Sequence, residues 1–327
     1  MKGKTPVALL TGFLGSGKTT LLSRVLAQGG FKDTAVIINE FGEISIDHLV
    51  VADLAENILE LRDGCLCCTI RGDLVMTLRD LNRRRYLEEI PHFRRVIVET
   101  TGVADPVPLV HTMMANAPIM TAYKLDAVIC VVDGEHGLTT LAEHDTAQDQ
   151  VAMADILVLS KVDIASREKL DVLRARMAGI NGGAEIVEVA NGEIDATHLF
   201  GRSLFQPEAR GETLAHWVDA THAHHDHGER YGAHVIRHSG ALSLAGTSVF
   251  LNRIVNEMKD DILRIKGIAA FREKGGKPAV LHAVQNKFYP VSWLENWPDA
   301  DQTSRLVFIG RHLNTRRIDE LFAALCV

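Results

Sequence analysis

The segment Gly12-Phe13-Leu14-Gly15-Ser16-Gly17-Lys18-Thr19 constrains this chain more than any other feature. It fits the pattern G-x-x-x-x-G-K-[ST]. It also follows the apolar run Val7–Leu10 and leads into Leu21, Leu22, Val25 and Leu26 at helical spacing. A strand, a glycine loop and a helix in that order make a phosphate cradle, because backbone N–H groups and a helix N-terminus all face the anion. Gly12, Gly15, Ser16 and Gly17 supply the wrapping backbone. Lys18 brings a point charge to the β- and γ-phosphates, and Thr19, followed by Thr20, offers a hydroxyl to Mg²⁺.

The rest of residues 6–200 keeps the same rhythm. Short runs rich in β-branched residues recur at Thr34–Ile38, Ile58–Leu61, Val96–Glu99, Ala127–Val132, Ile156–Leu159 and Glu185–Val189, with helical patterns between them, one over about 167–178. Several runs are apolar throughout, as expected of strands buried on both faces. The expected fold class is α/β: a P-loop NTPase domain over 1–200 with a mostly parallel, doubly wound sheet. Residues 201–230 are polar and read as a linker containing His222, His224, His225 and His227. Residues 231–327 read as a smaller α+β domain with a mainly antiparallel sheet. Its expected order is a strand (233–238), a helix (249–258), strands at 263–272, 279–286 and 305–309, and a last helix placing Ile318, Leu321, Phe322 and Leu325 on one face.

Two further segments extend the phosphate site. Val96-Ile97-Val98-Glu99 is an apolar strand ending in a carboxylate, which places Glu99 to hold Mg²⁺ or its water, and Gly102 is suited to bring a backbone N–H to the γ-phosphate as a switch hinge. Asp133 ends another strand and competes for the magnesium role, but no Thr-Gly pattern follows it. Ser160-Lys161-Val162-Asp163 resembles the N/T-K-x-D loop that reads guanine: the Asp accepts from the ring N1 and the exocyclic amine, and the Lys stem covers the base. The expected nucleotide is therefore GTP.

Cys65, Cys67 and Cys68 fall within four residues, a spacing unlike a disulfide framework. As thiolates they would repel one another, yet together they can share one soft or borderline cation at about 2.3 Å per Zn–S bond. A redox pair and inert packing are the competing readings. Glu43, in Asn39-Glu40-Phe41-Gly42-Glu43, is the candidate non-sulfur ligand, and the 222–227 histidines form a second, weaker metal contact or a plain polar linker. Cys130 reads as a buried small hydrophobe.

A net charge of -7 argues against a nucleic-acid partner, which needs a basic face. The one dense basic run, Arg83-Arg84-Arg85 with Arg94 and Arg95, reads as a solvated helix end and loop. No apolar segment approaches the ~20 residues that cross a bilayer. The apolar run at 6–10 is too short for a signal peptide, so no membrane association and a cytoplasmic location are expected.

With these motifs in place, the chain resembles the CobW-like family of P-loop GTPases, especially its YjiA-like members. The matching pieces are Thr11–Thr20, Asn39–Glu43, Gly64–Cys68, Glu99–Pro106, Ser160–Asp163, Leu263–Gly267 and Leu306–Gly310. The resemblance implies slow GTP hydrolysis, binding of Zn²⁺ or Co²⁺ through Cys65-Leu66-Cys67-Cys68, and delivery of that metal to a metal-requiring client protein. One position departs: some relatives carry a metal-binding Glu immediately before the Asn of Asn39–Glu43, where this chain has Ile38. The working expectation is a GTP-gated metal carrier, with 40–48 and 100–106 as switches. The rivals are a small-molecule phosphotransferase and a metal buffer or sensor with a structural nucleotide site. A homodimer is compatible with the sequence.

Overall fold

The computed structural model describes residues 3–31, 33–39, 70–201, 230–298 and 300–326. Along the chain run β1 (Thr5–Thr11), α1 (Lys18–Leu26), β2 (Thr34–Asn39), α2 (Ile70–Tyr86), β3 (Arg95–Thr100), α3 (Val107–Ala115), α4 (Ala117–Ala122), β4 (Tyr123–Asp133), α5 (Gly137–Glu143), α6 (Asp145–Met153), β5 (Ile156–Ser160), α7 (Arg167–Ile180) and β6 (Glu185–Val189). There follow β7 (Tyr231–Ser239), α8 (Leu244–Glu257), β8 (Ile262–Phe271), β9 (Lys277–Val284), β10 (Lys287–Phe288), β11 (Ser292–Trp293), β12 (Thr303–Arg311) and α9 (Thr315–Leu325). The expected strand at 58–61 lies outside the described residues.

Six strands form one sheet in the order β2-β3-β1-β4-β5-β6. The pairings β2–β3, β3–β1, β1–β4 and β4–β5 are all parallel. The order explains the composition of the strands. β1 lies between β3 and β4 with helices to either side in sequence, so Val7, Leu9 and Leu10 are buried whichever face they point to. Each fully buried aliphatic side chain contributes about 1.5–3 kcal/mol. Leu21, Leu22, Val25 and Leu26 turn the buried face of α1 onto this sheet, where they join Ala8, Leu10, Ile97, Ile129 and Val158 in one core. Because these strands run parallel, the loops after β1, β3, β4 and β5 gather at their carboxyl ends, and the strand order switches sides at β1, the place where open α/β sheets bind ligands.

The expectation for β4 stopped short. The strand begins at Tyr123, four residues before the apolar run, because the polar Asp126 is buried within it and accepts from the Gly201 N–H at 2.8 Å.

A second six-stranded sheet is antiparallel, in the order β10-β9-β8-β12-β7, with β11 also on β9. Its core includes Ile265, Phe271, Leu281 and Phe308 from the strands, with Phe250 and Ile254 from α8 and Ile318, Leu321 and Phe322 from α9. Two expected boundaries move. β9 ends at Val284, because Gln285, at φ 48°, turns the chain into the short β10. α8 starts at Leu244 rather than near 249, capped by the Ser243 hydroxyl, which accepts from the Gly246 N–H at 3.1 Å.

By contacts the chain divides into two units. The first holds 1–150, 156–173 and 186–203; the second holds 151–155, 174–185 and 204–327. Two short pieces of the region expected as one domain thus group with the C-terminal sheet. Within the second unit Arg264 accounts for one of them: it donates to the Met153 carbonyl and pairs with Asp155 at 2.5 Å.

Candidate nucleotide site

The loop between β1 and α1 is folded as a phosphate cradle. Gly12 has φ 139°, and a Cβ there would sit 2.2 Å from the Val131 carbonyl oxygen, so only glycine lets the loop approach β4 so closely. The Lys18 ammonium is buried and donates to the carbonyls of Gly12 at 2.8 Å and Phe13 at 3.1 Å, curling over the loop that it is expected to serve. Gly15 and Gly17 both have positive φ, and Gly17 is the residue from which α1 springs.

Facing the cradle, the Thr19 hydroxyl donates to Glu99 Oε1 at 2.8 Å. This joins the first turn of α1 to the end of β3. Beside it the Thr100 hydroxyl donates to that of Thr11 at 3.0 Å, holding the ends of β3 and β1 in register. The Ser16 and Thr101 hydroxyls are buried without a hydrogen-bond partner among the described residues. Buried hydroxyls in folded proteins are nearly always partnered. A cradle with unanswered hydroxyls and a Thr–carboxylate oxygen pair fits a phosphate chain together with a hard, oxygen-seeking ion such as Mg²⁺.

The turn after Glu99 lies directly on the cradle. A Cβ on Gly102 would meet the Leu14 backbone nitrogen at 2.6 Å, so glycine is required by the close approach of the two loops. The Ala104 N–H closes the turn on the Thr101 carbonyl at 3.0 Å.

Ser160, Lys161 and Asp163 lie at the other side of the loop. The Ser160 hydroxyl donates its one proton to the Ser16 carbonyl at 2.6 Å, with the Val132 carbonyl 3.2 Å away on the other side, tying β5 to the cradle. Ser at this position thus keeps a structural role despite departing from Asn or Thr. Lys161, at φ 56°, reaches the Gly15 carbonyl at 2.8 Å and Asp133 Oδ2 at 2.6 Å. Asp133, the rival magnesium ligand, is therefore engaged with Lys161. Burial alone would raise its carboxyl, but the Lys161 ammonium and the N–H groups of His136 and Glu135 outweigh that and hold it below the usual carboxylate range. Asp163 is exposed, and its Oδ1 accepts from the Asn191 N–H at 3.3 Å. Thr20 is exposed on α1.

Sequence reasoning missed three contributors. Asn191 and Gly192 have φ of 51° and 74° at the centre of a tight turn bridged by Ala190 and Glu193, and this turn sits against Thr20, Arg24 and Asp163. The Asn-Gly dipeptide was a legible turn signal, though nothing in it announced a nucleotide site. His144 stacks on Phe13 of the cradle, with ring centroids 4.4 Å apart and planes at 19°. The buried Gln150 of α6 donates its side-chain amide to the carbonyls of Gly102 and Ala104.

The match to known proteins decides what kind of cradle this is. Residues 6–188 match the family described as "CobW/HypB/UreG, nucleotide-binding domain", and residues 231–326 match "Cobalamin synthesis protein cobW C-terminal domain". The chain belongs to the CobW/HypB/UreG family. Among its CobW-type relatives it is 35% identical over 321 residues to the zinc chaperone YjiA of Escherichia coli (strain K12), covering 98% of both chains. It is 32% identical to the zinc chaperone CobW of Pseudomonas aeruginosa, over 96% of this chain and 90% of that one. The crystal structure of the zinc-bound YjiA GTPase from E. coli superposes with a TM-score of 0.78 at 30% identity, covering 99% of each chain.

The expected metal ligands Cys65, Cys67, Cys68 and Glu43 lie outside the described residues, as do His222, His224, His225 and His227. Ile38, where some relatives are expected to place a carboxylate, packs against the core of the first unit and offers no donor atom. Among the described residues no three His, Cys, Asp or Glu side chains gather as a metal site. Cys130 is buried in β4, where burial pushes its thiol up to about 12, and Cys326 is buried with its thiol pushed up to about 11, so neither supplies a ready thiolate. No helix among the described residues is long and apolar enough to cross a membrane.

Proposed function

We propose that this chain is a GTP-hydrolysing zinc carrier, in which Cys65, Cys67 and Cys68, with Glu43, grip the ion and the nucleotide state sets how tightly. The GTPase activity has its counterpart in the YjiA GTPase, which matches this chain over nearly its whole length. The observation that carries the site reading is the 2.8 Å contact between Thr19 and Glu99, which joins cradle to switch strand in one oxygen pair. Gly12, Gly15, Ser16, Gly17 and Thr20 wrap the phosphates, and Lys18 turns from the Gly12 and Phe13 carbonyls to the β- and γ-phosphates. Thr19 and Glu99 would hold Mg²⁺, which would supply charge neutralisation at the phosphates. The Gly102 N–H faces the γ-phosphate, while Ser160, Lys161 and Asp163 take guanine, the Asp163 carboxylate accepting from the base.

Zinc is the cargo, and its relevance to this chain rests on the zinc chaperones YjiA and CobW. Co²⁺ binds the same thiolates, because both ions accept sulfur in a tetrahedral set. A metal-requiring client protein receives the ion when hydrolysis loosens the switch segments. The decisive experiment is metal analysis of protein purified with a non-hydrolysable GTP analogue and Mg²⁺, beside a Cys67→Ser, Cys68→Ser variant. Close to one zinc per wild-type chain and none in the variant is expected; equal content sinks the thiolate assignment. Release of free phosphate from labelled GTP, with no phosphorylated small molecule, excludes the phosphotransferase reading.

A further inference from the structure

Two buried amide side chains near α6 clamp backbone carbonyls, and they do so for different ends. Asn181 donates to the carbonyls of Val151, Ala152 and Ala154 at 2.9, 3.1 and 2.9 Å. Those carbonyls lie at the end of α6, where that of Val151 also accepts from the Ala154 N–H, so Asn181 is a cap supplied from the end of α7. Gln150 lies inside α6, whose backbone needs no such help. Fully buried, it reaches out to a separate loop and donates to the Gly102 carbonyl at 3.2 Å and the Ala104 carbonyl at 3.1 Å.

Those two carbonyls belong to the turn that follows Glu99. The turn is closed by the Ala104-to-Thr101 hydrogen bond and pressed against Leu14 of the cradle at Gly102. A turn seized from one side by the cradle and from the other by Gln150 has the direction of its peptide planes fixed. Gln150 Oε1, meanwhile, is buried without a partner among the described residues, which makes the amide an expensive side chain for packing alone. Its two donated bonds are what it contributes.

We infer that Gln150 is a positioning residue for GTP hydrolysis: its amide holds the 101–104 turn so that the Gly102 N–H is aimed at the γ-phosphate. This rests on the reading of Gly102 given under the proposed function. The chemistry is directional. GDP has no γ-phosphate, so a group acting only through Gly102 affects GTP and its hydrolysis and leaves GDP alone.

The test compares Gln150→Met, which keeps length and apolar volume while removing both donors, with Glu99→Gln and Asn181→Leu in the full chain. For Gln150→Met the single-turnover rate of GTP hydrolysis is expected to fall about 10- to 100-fold, as misplacement of a reacting group does. GDP affinity stays at its wild-type value, and the thermal midpoint falls no further than in Asn181→Leu. Asn181→Leu is expected to lower the midpoint with the ratio of GTP to GDP affinity unchanged. A wild-type hydrolysis rate in Gln150→Met, or loss of GDP binding in step with hydrolysis, overturns the inference. Should Glu99→Gln also hydrolyse at the wild-type rate, the site reading itself fails; if Glu99→Gln is slow and Gln150→Met is not, only the role of Gln150 fails. Amide hydrogen exchange at 102–104 in the wild type gives a second reading that needs no variant. Slower exchange with a GTP analogue than with GDP is expected, and equal exchange overturns the inference.

Discussion

The phosphate cradle and the charged cluster buried in the second unit handle polar groups in opposite ways. In the cradle, the Ser16 and Thr101 hydroxyls are buried without partners among the described residues, and Lys18 is curled onto its own loop. In the second unit, Asp155, Arg264, Lys266 and His282 are all buried but answer one another. Arg264 pairs with Asp155 at 2.5 Å and donates through Nε to His282 Nε2 at 3.0 Å, while Lys266 lies 3.4 Å from the same carboxylate. Arg264 has no lone pair to accept with, so His282 must be the acceptor and hence neutral, in keeping with a pKa held well below its usual value by burial and by the nearby cations. Lys266 shares that carboxylate with the guanidinium: burial first, and then Arg264, pull its pKa down to about 7 against the opposing pull of Asp155. The ion pairs of the second unit hold its fold together, whereas the open hydroxyls of the cradle fit the phosphate chain proposed above.

Four changes press on that contrast. Asp155→Ala should be the most damaging to stability, about 3–5 kcal/mol by denaturant unfolding, because it strands a buried guanidinium. Nearly as large, but in activity alone, Lys18→Ala should slow GTP hydrolysis about 100- to 1000-fold. Its unfolding free energy should shift by about 1 kcal/mol or less. A stability loss matching that of Asp155→Ala would erase the distinction between the two regions. Ser160→Ala removes the hydroxyl that ties β5 to the cradle and should raise KM for GTP about 5-fold, on about 1 kcal/mol for its one donated proton. The fourth change acts on a slope. Lys266 binds fewer protons folded than unfolded between about pH 7 and its ordinary value of 10.5, so it makes stability rise with pH across that window. Lys266→Met should flatten that rise in unfolding measurements at successive pH values, and an unchanged slope would place the titration elsewhere.

Most of the fold was legible because burial on both faces leaves a plain mark. β1 and β5 are almost unbroken apolar runs, and the Ile318, Leu321, Phe322 stripe of α9 is buried as its spacing requires. What escaped were elements whose sequence breaks the local rule for a distant reason. β4 admits Asp126 because the Gly201 N–H answers it, and α8 admits Gly246 near its start, where a Cβ would lie 1.7 Å from the Leu325 carbonyl oxygen. The cradle was readable for the same reason that its glycines are forced: Gly12 has β4 immediately behind it. Gln150, Asn191 and His144 were not, since each acts by where the fold carries it, through an amide, a backbone N–H and a ring face that many residues in the chain could offer. The Arg264–Asp155 pair was equally silent, its members lying 109 positions apart.

The tie between nucleotide and metal is tested most directly by titrating zinc into the wild-type chain with Mg²⁺ and either a non-hydrolysable GTP analogue or GDP. Coupled sites shift each other's affinity by equal factors, commonly about 5-fold or more. Zinc should bind at least that much more tightly with the GTP analogue, and the difference should vanish in Lys18→Ala. Identical zinc affinity in both nucleotide states of the wild type would contradict it.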